Sequence, residues 1–204
     1  MSLSSFPDAP DIPVVLDASV VINLHATERA AEILRAFDNP FFATSNACAE
    51  LLNGERRGHA RPGFLQSLID QAAISEVRLT EACSAVYGEL IEGSARQTLD
   101  DGEAATVAYA IDQGAYAMID ERKARAICAV RFKSLKVCCT AELLLHPLVG
   151  RTLGKEGQIE AILKALRRAR MHVPNELIDL VVNIIGREEA ATCNSLPTSV
   201  RVAC

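Results

Sequence analysis

No apolar run in the 204 residues approaches the roughly 20 needed to cross a bilayer, and the opening MSLSSFPDAPDIP has neither the basic region nor the apolar stretch of a secretory leader. These two absences predict a cytoplasmic protein with no membrane partner. Cys-X-X-Cys pairs are also missing, and no histidine is spaced to join the cysteines. The cysteines number seven, an odd count scattered through apolar segments, so they read as reduced, buried thiols rather than zinc ligands or disulfides. Positive charge is in deficit: 21 Lys and Arg against 26 Asp and Glu give a net charge of −5. That balance excludes a generic coat on nucleic acid, whose affinity comes from clustered cations. Local basic clusters survive it. GERRGHAR holds Arg56, Arg57 and Arg61; DERKARAICAVRFK holds Arg122, Lys123, Arg125, Arg131 and Lys133; KALRRAR holds Lys164, Arg167, Arg168 and Arg170. Each also reads as a solvated helix face.

What the chain does have is apolar residues, 50% of the total, enough for the core of one ordinary domain with an extension. Internal repeats are absent. Residues 1–12 are polar and Pro-rich and read as a loose arm. Strands are expected at 13–18, FFAT, ISEVRL, YAMID and KVCCT. Helical patterns alternate with them. Ser19 caps residues 20–25, Thr27 caps ERAAEILRAF, and Ser45 caps NACAELLNG, which Gly54 ends. Helices follow near 63–72 and at 81–92, the latter opened by Thr80, then over EAATVAYAIDQG, ERKARAICAVRF and AELLLHPL, the last capped by Thr140. The alternation predicts an α/β fold, a three-layer α/β/α sandwich around a mainly parallel, Rossmann-like sheet at 13–150. Two C-terminal helices at 151–186 form an appendage, with an apolar stripe of Ile159, Ile162, Leu163 and Leu166. The stripe is expected to pack on the domain, with a dimer or partner groove as the alternative. The tail 187–204 shows no period and is expected to be disordered.

One residue disturbs this pattern. Asp17 sits inside VVLDASVVINL, where an unpaired buried carboxylate would cost several kcal/mol, about the penalty of a buried ion. Parallel sheets bind ligands beyond the carboxyl ends of their strands. Asp17 falls there on the first strand and Asp120 closes YAMID in the same way, while Glu50 lies on the helix leaving FFAT and Glu103 in the first turn of the helix feeding YAMID. Four such carboxylates ionise together only beside cations, and an all-oxygen set suits Mg²⁺ or Mn²⁺. Singly, three have local readings: Glu103 as the back half of a capping box opened by Asp100, Asp120 as the cap of ERKARA, and Glu50 as a solvated helix position. Asp17 fits a local role least, because aspartate is depleted in strands.

The order VVLDASVVINL, ACAELLNG, LDDGEAATVAYA and MIDERKARAICAVRF resembles the PIN domain, a fold of metal-dependent ribonucleases, and within it prokaryotic, VapC-like proteins with an LDxGE segment. The likeness runs from about Val14 to about Gly150, and the C-terminal helices also look like that subgroup. It implies that Asp17, Glu50, Glu103 and Asp120 are the acidic site residues, that Asp17, Glu103 and Asp120 hold Mg²⁺ or Mn²⁺, and that Ser19 is the hydroxyl residue two positions after the first acid. Asp101 is an alternative for the third acid. Arg122 and Arg125, just after Asp120, are candidate phosphate contacts. The implied reaction is hydrolysis of RNA to 3′-hydroxyl and 5′-phosphate ends, and the implied setting a homodimeric toxin restrained by a small antitoxin protein. The alternative is a catalytically idle PIN scaffold that binds RNA or a protein. A haloacid-dehalogenase-like phosphatase is disfavoured, because Ser19 stands where that chemistry needs a second aspartate.

Overall fold

The computed structural model describes residues 9–56 and 62–201. Arg57 and Arg61 of the first basic cluster, most of the N-terminal arm and Cys204 therefore lie outside the described residues. Five strands form one sheet: β1 (Val14–Leu16), β2 (Phe41–Thr44), β3 (Ser75–Val77), β4 (Tyr116–Met118) and β5 (Lys136–Cys138). Their spatial order is β3-β2-β1-β4-β5 and every pairing is parallel, with Val15 opposite Phe42 on one side and Ala117 on the other. All five were expected; β2 matches FFAT in full, and the other four are shorter than their apolar runs.

The pleat sends alternate side chains to two apolar layers. Val14, Leu16 and Met118 join the core beneath α1 (Ala18–Thr27), α2 (Ala30–Leu34), α3 (Ser45–Arg56) and α4 (Phe64–Asp70). Val15, Ala117 and Ile119 face α5 (Ser84–Ile91), α6 (Asp101–Asp112) and α7 (Arg122–Arg131). This is a three-layer α/β/α sandwich. The crossovers diverge between β1 and β4, since α1 leaves toward one layer and α7 toward the other. That divergence opens a crevice at the carboxyl ends of β1 and β4.

On the α1 side, α8 (Thr140–Leu145) leads into α9 (Pro147–Arg168), which breaks at Gly154 where φ is 73°. Ile162 and Leu166 of its stripe are buried, and Ile159 and Leu163 pack against them, so the stripe is used within the chain. Then come α10 (Ile178–Ile185), α11 (Arg187–Ala191) and α12 (Thr198–Arg201). The tail expected to be disordered is thus helical over much of its length and puts Ala190, Cys193 and Leu196 into the core. Two helices of five and four residues are too short for a helical period to show in the sequence.

Several cap assignments also change. Asp17, not Ser19, caps α1; Thr44, not Ser45, accepts a bond from the Ala47 N–H at 3.2 Å near the start of α3; and α3 runs past Gly54 to Arg56. Glu121, not Asp120, caps α7, its side chain accepting from the Ala124 N–H at 2.6 Å. Among the described residues, no helix is long and apolar enough to cross a membrane. Cys48, Cys83, Cys128, Cys138, Cys139 and Cys193 are free and buried.

Candidate active site

Asp17 lies one residue beyond β1. Its N–H donates to the Met118 carbonyl of β4 at 3.1 Å, which ties the backbone to the sheet just where the chain turns into α1. An apolar run therefore contains an aspartate because the strand has already ended: the residue is a helix cap in extended conformation (φ −73°, ψ 159°). Ser19 donates to its Oδ2 twice, from N–H at 3.1 Å and from Oγ at 2.6 Å. Oδ1 is buried and has no partner. A cap needs only one oxygen, so half of this carboxylate is not accounted for by folding. Burial pushes its pKa from 3.8 up to about 6, against the Ser19 bonds and the pull of the nearby Ala18 N–H, and Glu50 raises it further.

Glu103 enters from the first turn of α6. Its side chain reaches back to the Asp100 N–H at 3.2 Å, the capping-box contact allowed for above. The same side chain is 8% exposed and close enough to Asp17 to feel its charge. Burial first, and then Asp17, push its pKa to about 7. The local reading and the site reading are both true of this residue. Asp101, the alternative third acid, points elsewhere: it accepts from the Tyr87 hydroxyl and from Asn46 Nδ2, the latter at 3.0 Å.

Glu50 is half-buried and lies over the start of α6, where Oε1 accepts from the Gly102 N–H at 2.8 Å. A helix N-terminus favours a carboxylate there. Gly102 is part of the same contact, since a Cβ at that position would sit 2.8 Å from the Glu50 carboxylate. Burial raises the pKa of Glu50, opposed by the Gly102 bond.

Asp120 is placed differently. It is 5% exposed, two residues beyond β4, and its oxygens are supplied with donors: Thr140 N–H to Oδ1 at 2.7 Å, and Thr140 Oγ1 and Asn23 Nδ2 to Oδ2, the last at 2.6 Å. Burial still raises its pKa, while these bonds and Arg125 pull it down. Asp17 thus shares its field with Glu103 and with Glu50, while Asp120 is anchored separately, through Asn23 of α1 and Thr140 of α8. Sequence reasoning did not assign Asn23 or Thr140 to the site. Asn23 carried a readable signal, as an amide on the otherwise apolar face of VVINL; Thr140 was read only as a cap.

Of the two candidate phosphate contacts, Arg122 is exposed at the first turn of α7. Arg125 is half-buried and paired with Glu142 at 3.8 Å and Glu176 at 4.0 Å, so those acids compete with any phosphate for it. Ser19 spends its hydroxyl on Asp17.

Among the described residues, no three His, Cys, Asp or Glu side chains stand together as a ready metal cage. A hydrated Mg²⁺ or Mn²⁺ asks for less, one or two carboxylates with waters and phosphate oxygens completing the shell. The donor set fits that requirement: it is all oxygen, the buried Asp17 Oδ1 lacks a partner, and Glu103 stands within reach of its field.

A parallel α/β sheet with buried acids at its switch point defines a class of phosphate- and metal-handling proteins. Within that class, residues 13–187 match the family model DUF3368, a PIN domain, and the chain belongs to the PIN domain family. PIN domains are generally nucleases and typically depend on a divalent metal. No curated protein and no solved structure matches the chain.

Proposed function

We propose that the protein is a metal-dependent ribonuclease that hydrolyses RNA phosphodiester bonds, with Asp17 and Glu103 as the residues that hold Mg²⁺ or Mn²⁺ and Asp120 completing the site from β4. The observation that carries this reading is the buried, unpartnered Oδ1 of Asp17 beside a second buried acid. Helix capping uses Asp17 Oδ2 and one bond of Glu103, but does not call for setting the two like charges together out of water. A divalent ion bound there supplies the positive charge that stabilises a phosphate undergoing hydrolysis. Ser19 orients Asp17 by holding Oδ2 and leaving Oδ1 toward the crevice. Asn23 and Thr140 keep Asp120 ionisable and fixed. Glu50, held by Gly102, adds negative charge at the rim and acts on the ion through water or directly. Without a cation, burial holds the Asp17 carboxyl up at about 6 and, with the Asp17 charge beside it, the Glu103 carboxyl up at about 7. The expected ends are a 3′-hydroxyl and a 5′-phosphate.

The test is a panel of RNAs incubated with Mn²⁺, with Mg²⁺ and with EDTA. Cleavage that needs the metal and disappears in Asp17→Asn supports the reading; full activity in Asp17→Asn, with no contaminating nuclease, removes the site.

One observation favours a second reading, an idle scaffold that binds RNA or a protein: the Asp120 oxygens are already bonded to Thr140 and Asn23. The scaffold would give neither saturable heat nor a thermal shift with Mn²⁺. In the ribonuclease reading the cellular setting is the homodimeric toxin of a toxin-antitoxin pair in the cytoplasm, which a short neighbouring gene for a DNA-binding, groove-filling partner would support.

A further inference from the structure

A groove of about 610 Å³ runs along α7 on the side facing α5. Lys123, Ile127 and Val130 line it from one face of α7, at helical spacing. Arg96 and Gln97 line it from the loop after α5. Both walls lead to the acidic crevice. α7 begins two residues after Asp120, and the loop ends at Asp100, whose N–H bonds Glu103. Lys123 stands at the end near the crevice. Arg131, also lining the groove, lies eight residues on, about 12 Å along the helix.

The lining is unusual for a surface that serves only solubility. Val130 is 75% exposed, the most exposed large apolar side chain among the described residues. Arg131 is neutralised by Glu89 at 3.2 Å, whereas Arg96 and Lys123 enter no ion pair among the described residues. Glu92 is the remaining acid of the lining. Two unpaired cations flank an apolar strip on the helix that follows Asp120. A duplex hides its base faces, so apolar side chains serve only unstacked bases, while cations serve phosphates.

We propose that this groove holds the single-stranded RNA flank of a substrate whose scissile phosphate lies at Asp17 and Glu103, with Arg96 and Lys123 on phosphates and Ile127 and Val130 against bases. Gln97 and Glu92 supply the polar partners for base edges. The assignment rests on the ribonuclease reading above. It goes beyond that reading by naming the path of the strand and the side of the crevice from which it leaves.

Binding is measured by fluorescence anisotropy in the Asp17→Asn background, with single-stranded RNAs from a dinucleotide to a dozen nucleotides, at low and physiological salt. Arg96→Gln combined with Lys123→Gln should weaken binding of the longest RNA by about tenfold. It should also make the dependence of log affinity on log salt shallower by about 1.4, the contribution of two single-strand phosphate contacts. The deficit should shrink with length, to about twofold or less for the dinucleotide. Val130→Ala should weaken the long RNA a few-fold with an unchanged salt slope, and Lys155→Gln, an exposed position on α9, should match the parent. Unchanged affinity and slope in the double variant would overturn the proposal. So would an equal loss at every length, which would mean damage to the crevice. Unchanged RNA binding with a changed sedimentation mass would also overturn it, and mark the strip as a protein contact. If the unsubstituted chain cleaves no RNA, the ribonuclease reading fails, while these titrations still report on the groove.

Discussion

Acids are handled in opposite ways at the two ends of α1. At its start, Asp17 and Glu103 are buried together with no cation, and their pKa values are pushed up to about 6 and about 7. At its end, Glu28 caps the helix in a left-handed conformation (φ 63°) and is met by Lys164 at 2.6 Å and Arg168 at 2.5 Å from α9. Hydrogen bonds to those two cations hold the Glu28 carboxyl down at about 2. The basic cluster of α9 is thus partly a structural seam, with Arg167 similarly paired to Glu189. The chain can complete an acid where folding requires it. Its failure to do so at Asp17 is therefore informative: the missing charge has to come from outside the polypeptide.

The largest effect is expected at Asp17. Asp17→Asn keeps a good helix cap and loses the anionic oxygen, so cleavage should fall by about 10²-fold or more, the scale of losing one charge-stabilising group. The metal-free protein should at the same time become more stable at pH 8, by up to about 3 kcal/mol for a carboxyl moved from 3.8 to about 6. Cleavage assays paired with urea unfolding check both. Loss of activity together with loss of stability would make Asp17 a structural residue.

A pH series sharpens the contrast. Well below pH 3.8, Asp17 is protonated in both folded and unfolded chains and costs nothing. As pH rises from 3.8 to about 6 the unfolded residue ionises first, so stability falls across that window; Glu103 extends the fall from 4.5 to about 7. Glu28 runs the other way, its contribution present above 4.5 and lost as pH falls toward 2. Urea midpoints of the metal-free chain should decline between about pH 4 and 7, and Asp17→Asn should flatten part of that slope.

Smaller effects come from the supporting groups. Asn23→Leu keeps the volume and removes the donor to Asp120, at a cost of about 1–3 kcal/mol by thermal or urea unfolding. Gly102→Ala gains up to about 1 kcal/mol of helix propensity and forces the Glu50 carboxylate from its 2.8 Å bond, so activity should drop several-fold with little change in Tm. Least of all, Glu28→Gln should leave cleavage untouched and shift Tm only slightly, because Glu28 is exposed and water screens its ion pairs.

Much of the fold was legible because β-branched runs and helical spacing act locally. VVL, FFAT and YAM report their own burial, and the spacing between them admits only crossover connections. The placement of Asp17 and Asp120 was legible for the same reason, since a residue just past a buried run must lie at the carboxyl edge. Three things were not. Which cap a helix uses depends on backbone direction, so Ser19 and Ser45 looked as suitable as Asp17 and Thr44. The helices from Arg187 on are too short to show a period, and they pack on α10 and on each other. The state of each acid depends on partners remote in the chain: nothing in MIDERK announces that Asn23 and Thr140 will bond Asp120, or that Asp17 will keep one oxygen bare.

The central claim is that an external cation completes the Asp17 and Glu103 pair. Isothermal titration of the metal-free chain with Mn²⁺ at pH 6 and pH 8, in buffers of different ionisation heat, tests it directly. The account predicts saturable binding that is tighter at pH 8, releases protons at pH 6 and is lost in Asp17→Asn. Absence of saturable heat at both pH values, or equal binding by Asp17→Asn, would contradict it.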